Sequence, residues 1–207
     1  SEKIFIVPGG SIVKDVKPLY PSYSSVEKRK INIAYIGINN HEIDLIAPFI
    51  EALKCENVKN SYRLILYGNT ISNEKWNQWG WLDYSKDVST LKDIDVFLQL
   101  LDDNNVSKAG WPNKLGDYLA FGKPVILSPY GDIIDFVKNE KGFFIVEYNK
   151  YSILKILQEI KDIPYSDLKT MGYTNRQLAE KISWKNRAKN IEYICNKIRF
   201  NNETVKN

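Results

Sequence analysis

Lys114 and Asp117 open the segment of this chain with the most evident chemistry. They lie in GWPNKLGDYLAFGKPVILS, residues 110–128, which joins a Gly-Trp-Pro loop, one helix-length stretch, a Gly-Lys-Pro break and a β-rich apolar run. Pro112 suits the first turn of a helix, because the amide it lacks would be unbonded there. A helix starting at that proline leaves the amides of Asn113, Lys114 and Leu115 pointing outward from its positive end, where an anion such as phosphate binds. Lys114 adds a full charge, and Gly110 opens the loop. Asn113 and Asp117 share a helical face, with Asp117 about 6 Å farther along the axis. A carboxylate only accepts hydrogen bonds and pairs well with two vicinal hydroxyls, so a ribose diol beside a bound diphosphate is a natural target. Gly116 costs about 1 kcal/mol in a helix interior relative to alanine and marks a close approach, by ligand or by backbone. Each feature has an ordinary alternative: the helix dipole favours an early aspartate without any ligand, and a helical glycine often serves packing.

The elements that must position these residues follow from apolar patterning. INIAYIG (31–37), YRLILYG (62–68), DVFLQLL (95–101), PVILS (124–128) and GFFIVEY (142–148) read as strands. Between them, IDLIAPFIEALKC (43–55) has helical spacing at Ile43, Ile46, Ile50 and Leu53, interrupted by Pro48. SKDVSTLKD (85–93), residues 113–121 and DIIDFVKN (132–139) read as shorter helices. Continuous apolar strands alternating with helices predict an α/β domain, a Rossmann-like, doubly wound parallel sheet covered on both faces. Ligands of such sheets bind at the carboxyl ends of the strands. That nominates the loops after 31–36, after 62–67, around 80–83 and over 101–113, and with them Gly37, Asn39, Gly80 and Trp81. Asp102 and Asp103 either touch a ligand or cap a turn, Tyr67 to Asn69 border the same region, and the lone His41 reads as a surface residue.

Three helical stretches end the chain: KYSILKILQEIKD, SDLKTMGYTNRQLAEKI and SWKNRAKNIEYICNKIRF. Ser183 is the expected N-cap of the last, whose apolar stripe runs through Ala188, Ile191, Ile194 and Ile198. At the other end, KIFIVPGG reads as a strand with nothing before it to pair with, and the following residues, rich in proline and serine, read as a linker. The expected organisation is the end of a preceding N-terminal domain plus linker over 1–30, a ligand-binding Rossmann-like domain over 31–182, and a C-terminal helix and tail over 183–207.

Composition narrows the classes. In 207 residues, 43% hydrophobic and 26% charged residues are those of a globular protein. The net charge of +4 is mild and its lysines are interleaved with acids, which argues against nucleic acid as a partner. Cys55 and Cys195 lack metal-ligand spacing and read as reduced, semi-buried thiols of a cytoplasmic protein. No run approaches the roughly 20 apolar residues of a membrane span.

These residues carry a resemblance. The 110–128 segment, preceded by GWLDY and DIDVFLQLL and followed by YGDIIDFVKNEKGFFIVEYN and MGYTNRQLAEKISWKN, resembles the C-terminal, donor-binding domain of glycosyltransferase family 4 (group 1), a retaining family of GT-B architecture. The likeness covers nearly the whole chain in five ordered blocks and extends back to IFIVPGG. It implies one half of a GT-B fold with C-terminal helices and a hexosyltransferase-like enzyme of polysaccharide biosynthesis. Its donor would be a nucleotide-diphosphate sugar, with no metal or other cofactor. It also implies a glycan or glycolipid acceptor held by an N-terminal domain, and peripheral association with the inner face of a membrane. The domain alone would bind without turning over.

Of the two acids of the family motif, the ribose-binding one maps onto Asp117 and the sugar-facing one onto Ala109, which supplies no carboxylate. The arginine and lysine that the family places on the donor diphosphate map onto Ile38 and Ile43. Lys114, with Lys108 as a weaker candidate, stands in for them in part. The departures keep a second reading open, that of a non-catalytic relative acting as a binding or regulatory subunit. An epimerase reading finds no acid/base pair.

Overall fold

The computed structural model describes residues 9–11, 30–38, 43–69, 77–82 and 88–204, with the side chains of 43, 77–79, 88 and 200–204 outside the description. The expected opening strand, the linker and Asn39, Asn40 and His41 lie outside the described residues.

The elements alternate as the patterning requires: β1 (Ile31–Ile38), α1 (Ile43–Leu53), β2 (Tyr62–Gly68), β3 (Asn77–Trp79), β4 (Val96–Gln99), α2 (Asn105–Ala109), α3 (Asn113–Ala120), β5 (Val125–Leu127), α4 (Ile133–Val137), β6 (Phe143–Ile145), α5 (Lys150–Ile160), α6 (Tyr165–Lys181) and α7 (Trp184–Thr204). Two of them, β3 and α2, are not expected from sequence. The helix expected over 85–93 is a 3-10 helix, Val88–Asp93. The six strands among the described residues are all parallel, in the order β3-β2-β1-β4-β5-β6. This is the doubly wound order, and its direction reverses between β1 and β4.

Both faces of the sheet are covered, which is why its strands are apolar without alternation. On one face Ile33, Tyr35, Leu64, Leu66 and Leu98 pack under Ile46 and Phe49 of α1 and Ile153 and Leu157 of α5. On the other, Ala34, Ile36, Phe97, Val125 and Leu127 pack under Leu115, Tyr118 and Leu119 of α3, with Ile133 of α4 and Leu178 of α6. Helix α1 runs through Pro48. Proline leaves the carbonyl four residues earlier without an intrahelical donor; the Tyr148 hydroxyl donates to that carbonyl, of Asp44, at 2.7 Å. Asn175 of α6, fully buried, donates to the carbonyls of Lys123 and Gly142 at 2.8 and 2.9 Å and so ties the helix to the entries of β5 and β6.

Ser183 caps α7 as expected, its hydroxyl accepting from the Asn186 amide at 3.4 Å. The apolar stripe of α7 is not packed into the core: Ala188 and Ile191 are exposed and Ile194 and Ile198 half-buried. Cys195 on this helix is exposed rather than semi-buried, while Cys55 is half-buried, and both are free thiols.

Candidate functional site

The carboxyl end of β1 is where the sheet opens. Strand β1 pairs with β4 at Ile33 and Ala34, and with β2 as far as Ile38, with an irregularity between Ile36 and Ile38. Gly37 sits in that irregularity at φ +80°, in the left-handed region open to glycine without strain. Helix α3 lies across the opening. Its Tyr118 hydroxyl accepts the Ile36 amide at 3.1 Å, meeting a strand donor where β1 and β4 diverge, and its ring stacks on Phe97 at 4.3 Å.

Four residues earlier on α3, Lys114 reaches the same place. Its Nζ donates to the Gly37 carbonyl at 3.2 Å and lies 5.1 Å from the centroid of the Tyr35 ring. A Cβ on Gly37 would come within 2.9 Å of that ammonium, so the glycine is also what admits the lysine. Two of the expected site residues are thus brought together at the reversal point of a doubly wound sheet, where such folds bind ligands. Asp117 is half-buried on the same helix, and Asn113, which opens it, is exposed.

The helix start differs from expectation in two respects. Pro112 is the N-cap (φ −71°, ψ 105°), and helical geometry begins at Asn113. The Leu115 amide is not directed outward: it donates to the Pro112 carbonyl at 3.0 Å, because the first turn closes on the cap residue, and the Leu115 side chain is fully buried. Gly116 is explained by backbone, since a Cβ there would lie 2.2 Å from the Gly10 carbonyl oxygen.

Beside α3, the turn after β4 satisfies itself. Asp102 accepts from Asn104 Nδ2 and Ser107 Oγ, each at 2.7 Å, and Asn104 caps α2 by accepting the Ser107 amide at 2.8 Å. Asp103 pairs with Lys108 at 2.5 Å, and that hydrogen bond and charge hold the lysine ammonium above its ordinary pKa. Lys108 is thus paired within its own turn. Ala109 ends α2 with its side chain exposed, and Gly110 follows in extended conformation. Ile38 is 1% exposed, a core residue.

At the far edge, Trp81 is 65% exposed, and its Nε1 donates to Asn69 Oδ1 at 2.9 Å. Gly80 is exposed and its carbonyl accepts the Gly68 amide at 3.3 Å. Tyr67, by contrast, is buried with its hydroxyl 3.5 Å from Thr90 Oγ1. On the other flank, burial first and then the Glu147 and Asp103 carboxylates hold the Tyr130 phenol above its ordinary pKa. The residue that sequence reasoning undervalued is Tyr118; the signal was a tyrosine, one turn after Lys114, in a row otherwise served by leucine. Among the described residues no group of three or more His, Cys, Asp or Glu could hold a metal ion, and no helix is long and apolar enough to cross a membrane.

No family model and no curated protein matches the sequence. Solved structures do match it. Sucrose-phosphate synthase from Thermosynechococcus elongatus is similar with a TM-score of 0.69 at 15% identity, over 93% of this chain and 52% of that one. A glycosyltransferase from Rickettsia africae is similar at 0.66 and 14% identity, over 93% and 57%. The chain shares the Rossmann-like α/β fold of about half of each of these GT-B glycosyltransferase structures. HepE of Anabaena, in its complex with UDP and glucose, is similar at 0.61 and 9% identity, over 82% of this chain and 49% of that one. The chain therefore spans about half the length of the GT-B structures it matches, 52%, 57% and 49%.

Proposed function

We propose that this chain is the donor-binding half of a retaining glycosyltransferase that resembles family 4. It takes a nucleotide-diphosphate sugar and, together with an N-terminal domain, passes the sugar to a glycan or glycolipid acceptor. The observation that carries the reading is the Lys114 ammonium at the Gly37 carbonyl, a cation delivered by a helix start to the reversal point of the sheet. When a glycosyl bond to a diphosphate breaks, negative charge grows on the departing group, and a fixed cation in a confined site stabilises it. Lys114 supplies that charge from α3, where the family would use residues at 38 and 43. Asp117 accepts from the ribose hydroxyls, and Trp81, braced by Asn69, flanks the base. The domain alone binds donor and does not turn it over; in the full-length protein the acceptor side faces a membrane surface from the cytoplasm.

A second reading, a non-catalytic relative kept for binding, is favoured by two observations: Ala109 offers no carboxylate toward the sugar, and Ile38 belongs to the core. Calorimetric titration of the chain with UDP, GDP and ADP tests the site shared by both readings. One of the three is expected to bind, and more weakly to Asp117→Asn; no binding by any of them, or undiminished binding by the variant, rejects it. Assay of the full-length protein with mixed donors on a glycolipid extract separates the readings, since only the first predicts transfer.

A further inference from the structure

The strap formed by Gly9, Gly10 and Ser11 lies against the site helix without belonging to the sheet. Two contacts hold it to α3 and a third to the loop before that helix. The Gly10 carbonyl oxygen occupies the space that a Cβ of Gly116 would fill, at 2.2 Å, and Ser11 Cα lies 3.2 Å from the same point. Gly9 rests on the Trp111 indole, one residue before the N-cap Pro112. Three further hydrogen bonds fasten the strap to the α6–α7 junction. The Ser11 amide donates to the Ile182 carbonyl at 3.2 Å, the Trp184 amide donates to the Ser11 carbonyl at 3.1 Å, and the buried Ser11 hydroxyl donates to the Ala179 carbonyl at 2.6 Å. Arg187 Nε adds a bond to the Gly9 carbonyl at 3.3 Å. Arg176 of α6 donates to the Ala120 carbonyl at the opposite end of α3, at 2.6 Å.

We infer that this strap is a positioning element of the nucleotide site: seated against Gly116, it sets where α3 lies and so fixes Lys114 and Asp117, and nucleotide binding in turn tightens the strap. The inference rests on the site reading above. Gly116 lies between the two residues proposed to hold diphosphate and ribose, so any shift that relieves a contact there displaces both. A positioned cation loses much of its value when moved by a fraction of the contact distance. The coupling is reciprocal because the same contact joins both events.

The test uses the 207-residue chain, UDP, GDP and ADP titrations, and amide hydrogen exchange at Ser11 and Trp184, whose bonds report the seated strap. In Gly116→Ala the helix itself is not weakened, since alanine is the better helix former; exchange at Ser11 is expected to accelerate and nucleotide affinity to fall about tenfold or more. Ser11→Ala, which removes only the bond to Ala179, is expected to give the same two changes to a smaller degree. In the unaltered chain, saturating nucleotide is expected to slow exchange at both amides. A purely structural strap predicts lower thermal stability with unchanged affinity of the folded protein. The inference is overturned if Gly116→Ala leaves Ser11 exchange unchanged, if exchange accelerates while affinity stays within about twofold, or if nucleotide leaves both amides unaffected. Should Gly116→Ala not fold, Ser11→Ala and the unaltered chain decide by the same criteria. Failure of the unaltered chain to bind any of the three nucleotides rejects the site reading itself, and this inference with it.

Discussion

Lys108 and Lys114 stand six positions apart on consecutive short helices and are used in opposite ways. Lys108 closes on Asp103 within its own turn, in solvent. Lys114 crosses to another element, to the Gly37 carbonyl and the face of the Tyr35 ring, where the sheet parts. Charge alone does not distinguish them; the destination does. A lysine satisfied by a neighbour five residues away stabilises a local turn, whereas one held over the end of a central strand lies where doubly wound folds bind their ligands. The reach of Lys114 depends on Gly37, which has neither a side chain in the way nor an aversion to positive φ.

Exchanging the lysines for methionine should break this symmetry most sharply. Lys114→Met is expected to weaken nucleoside diphosphate binding about 10- to 100-fold, the worth of a charge-assisted hydrogen bond, while Lys108→Met stays within about twofold; calorimetry on both variants checks it, and equal losses would erase the distinction. Next in size, Asp117→Asn is expected to lose about tenfold for the nucleotide and nothing for inorganic pyrophosphate, which has no ribose; a parallel loss for pyrophosphate would place Asp117 on the wrong part of the ligand. Tyr118→Phe removes the acceptor of the Ile36 amide and keeps the stacked ring, so thermal unfolding should report a loss of about 1 kcal/mol, about 2–4 °C.

The smallest effect lies far from the site. Tyr62 is buried, its hydroxyl donating to the Leu157 carbonyl, and burial, ahead of the Asp162 charge, pushes its phenol well above the ordinary tyrosine value. A raised folded pKa means its contribution is complete below about pH 10 and lost as the unfolded chain ionises above that. Between about pH 9 and 10.5 the contribution of Tyr62 should be under about 1 kcal/mol, and the fall in stability over that range should be smaller in Tyr62→Phe, as denaturant titration would show.

How much of this was legible in the sequence depended on range. Strands β1 and β2 announce themselves as unbroken apolar runs because both faces are covered. Strand β3, Asn-Gln-Trp, carries no such run: among the described residues it is an edge strand that pairs with β2 alone. Helix α2 is too short for periodicity to show, although Asn104 followed by Ser107 is a capping signal. At the site, the residue types around Lys114 and Asp117 were readable, since helix starts and their charges are local. What they touch was not. The Lys114–Gly37 and Tyr118–Ile36 bonds span 77 and 82 positions, and Gly116 answers to a carbonyl near the other end of the chain. The α7 stripe shows the reverse case, a clear period whose residues are exposed at Ala188 and Ile191 and only half-buried at Ile194 and Ile198.

Ile38 carries a consequence for substitution. With its side chain 1% exposed among apolar neighbours, an arginine at that position would strand a guanidinium in the interior, and an unpaired buried charge costs a large part of a domain's stability. An arginine introduced at position 38 therefore leads away from a folded protein, and a cation for this end of the sheet is more readily carried on α3, from which Lys114 already reaches it.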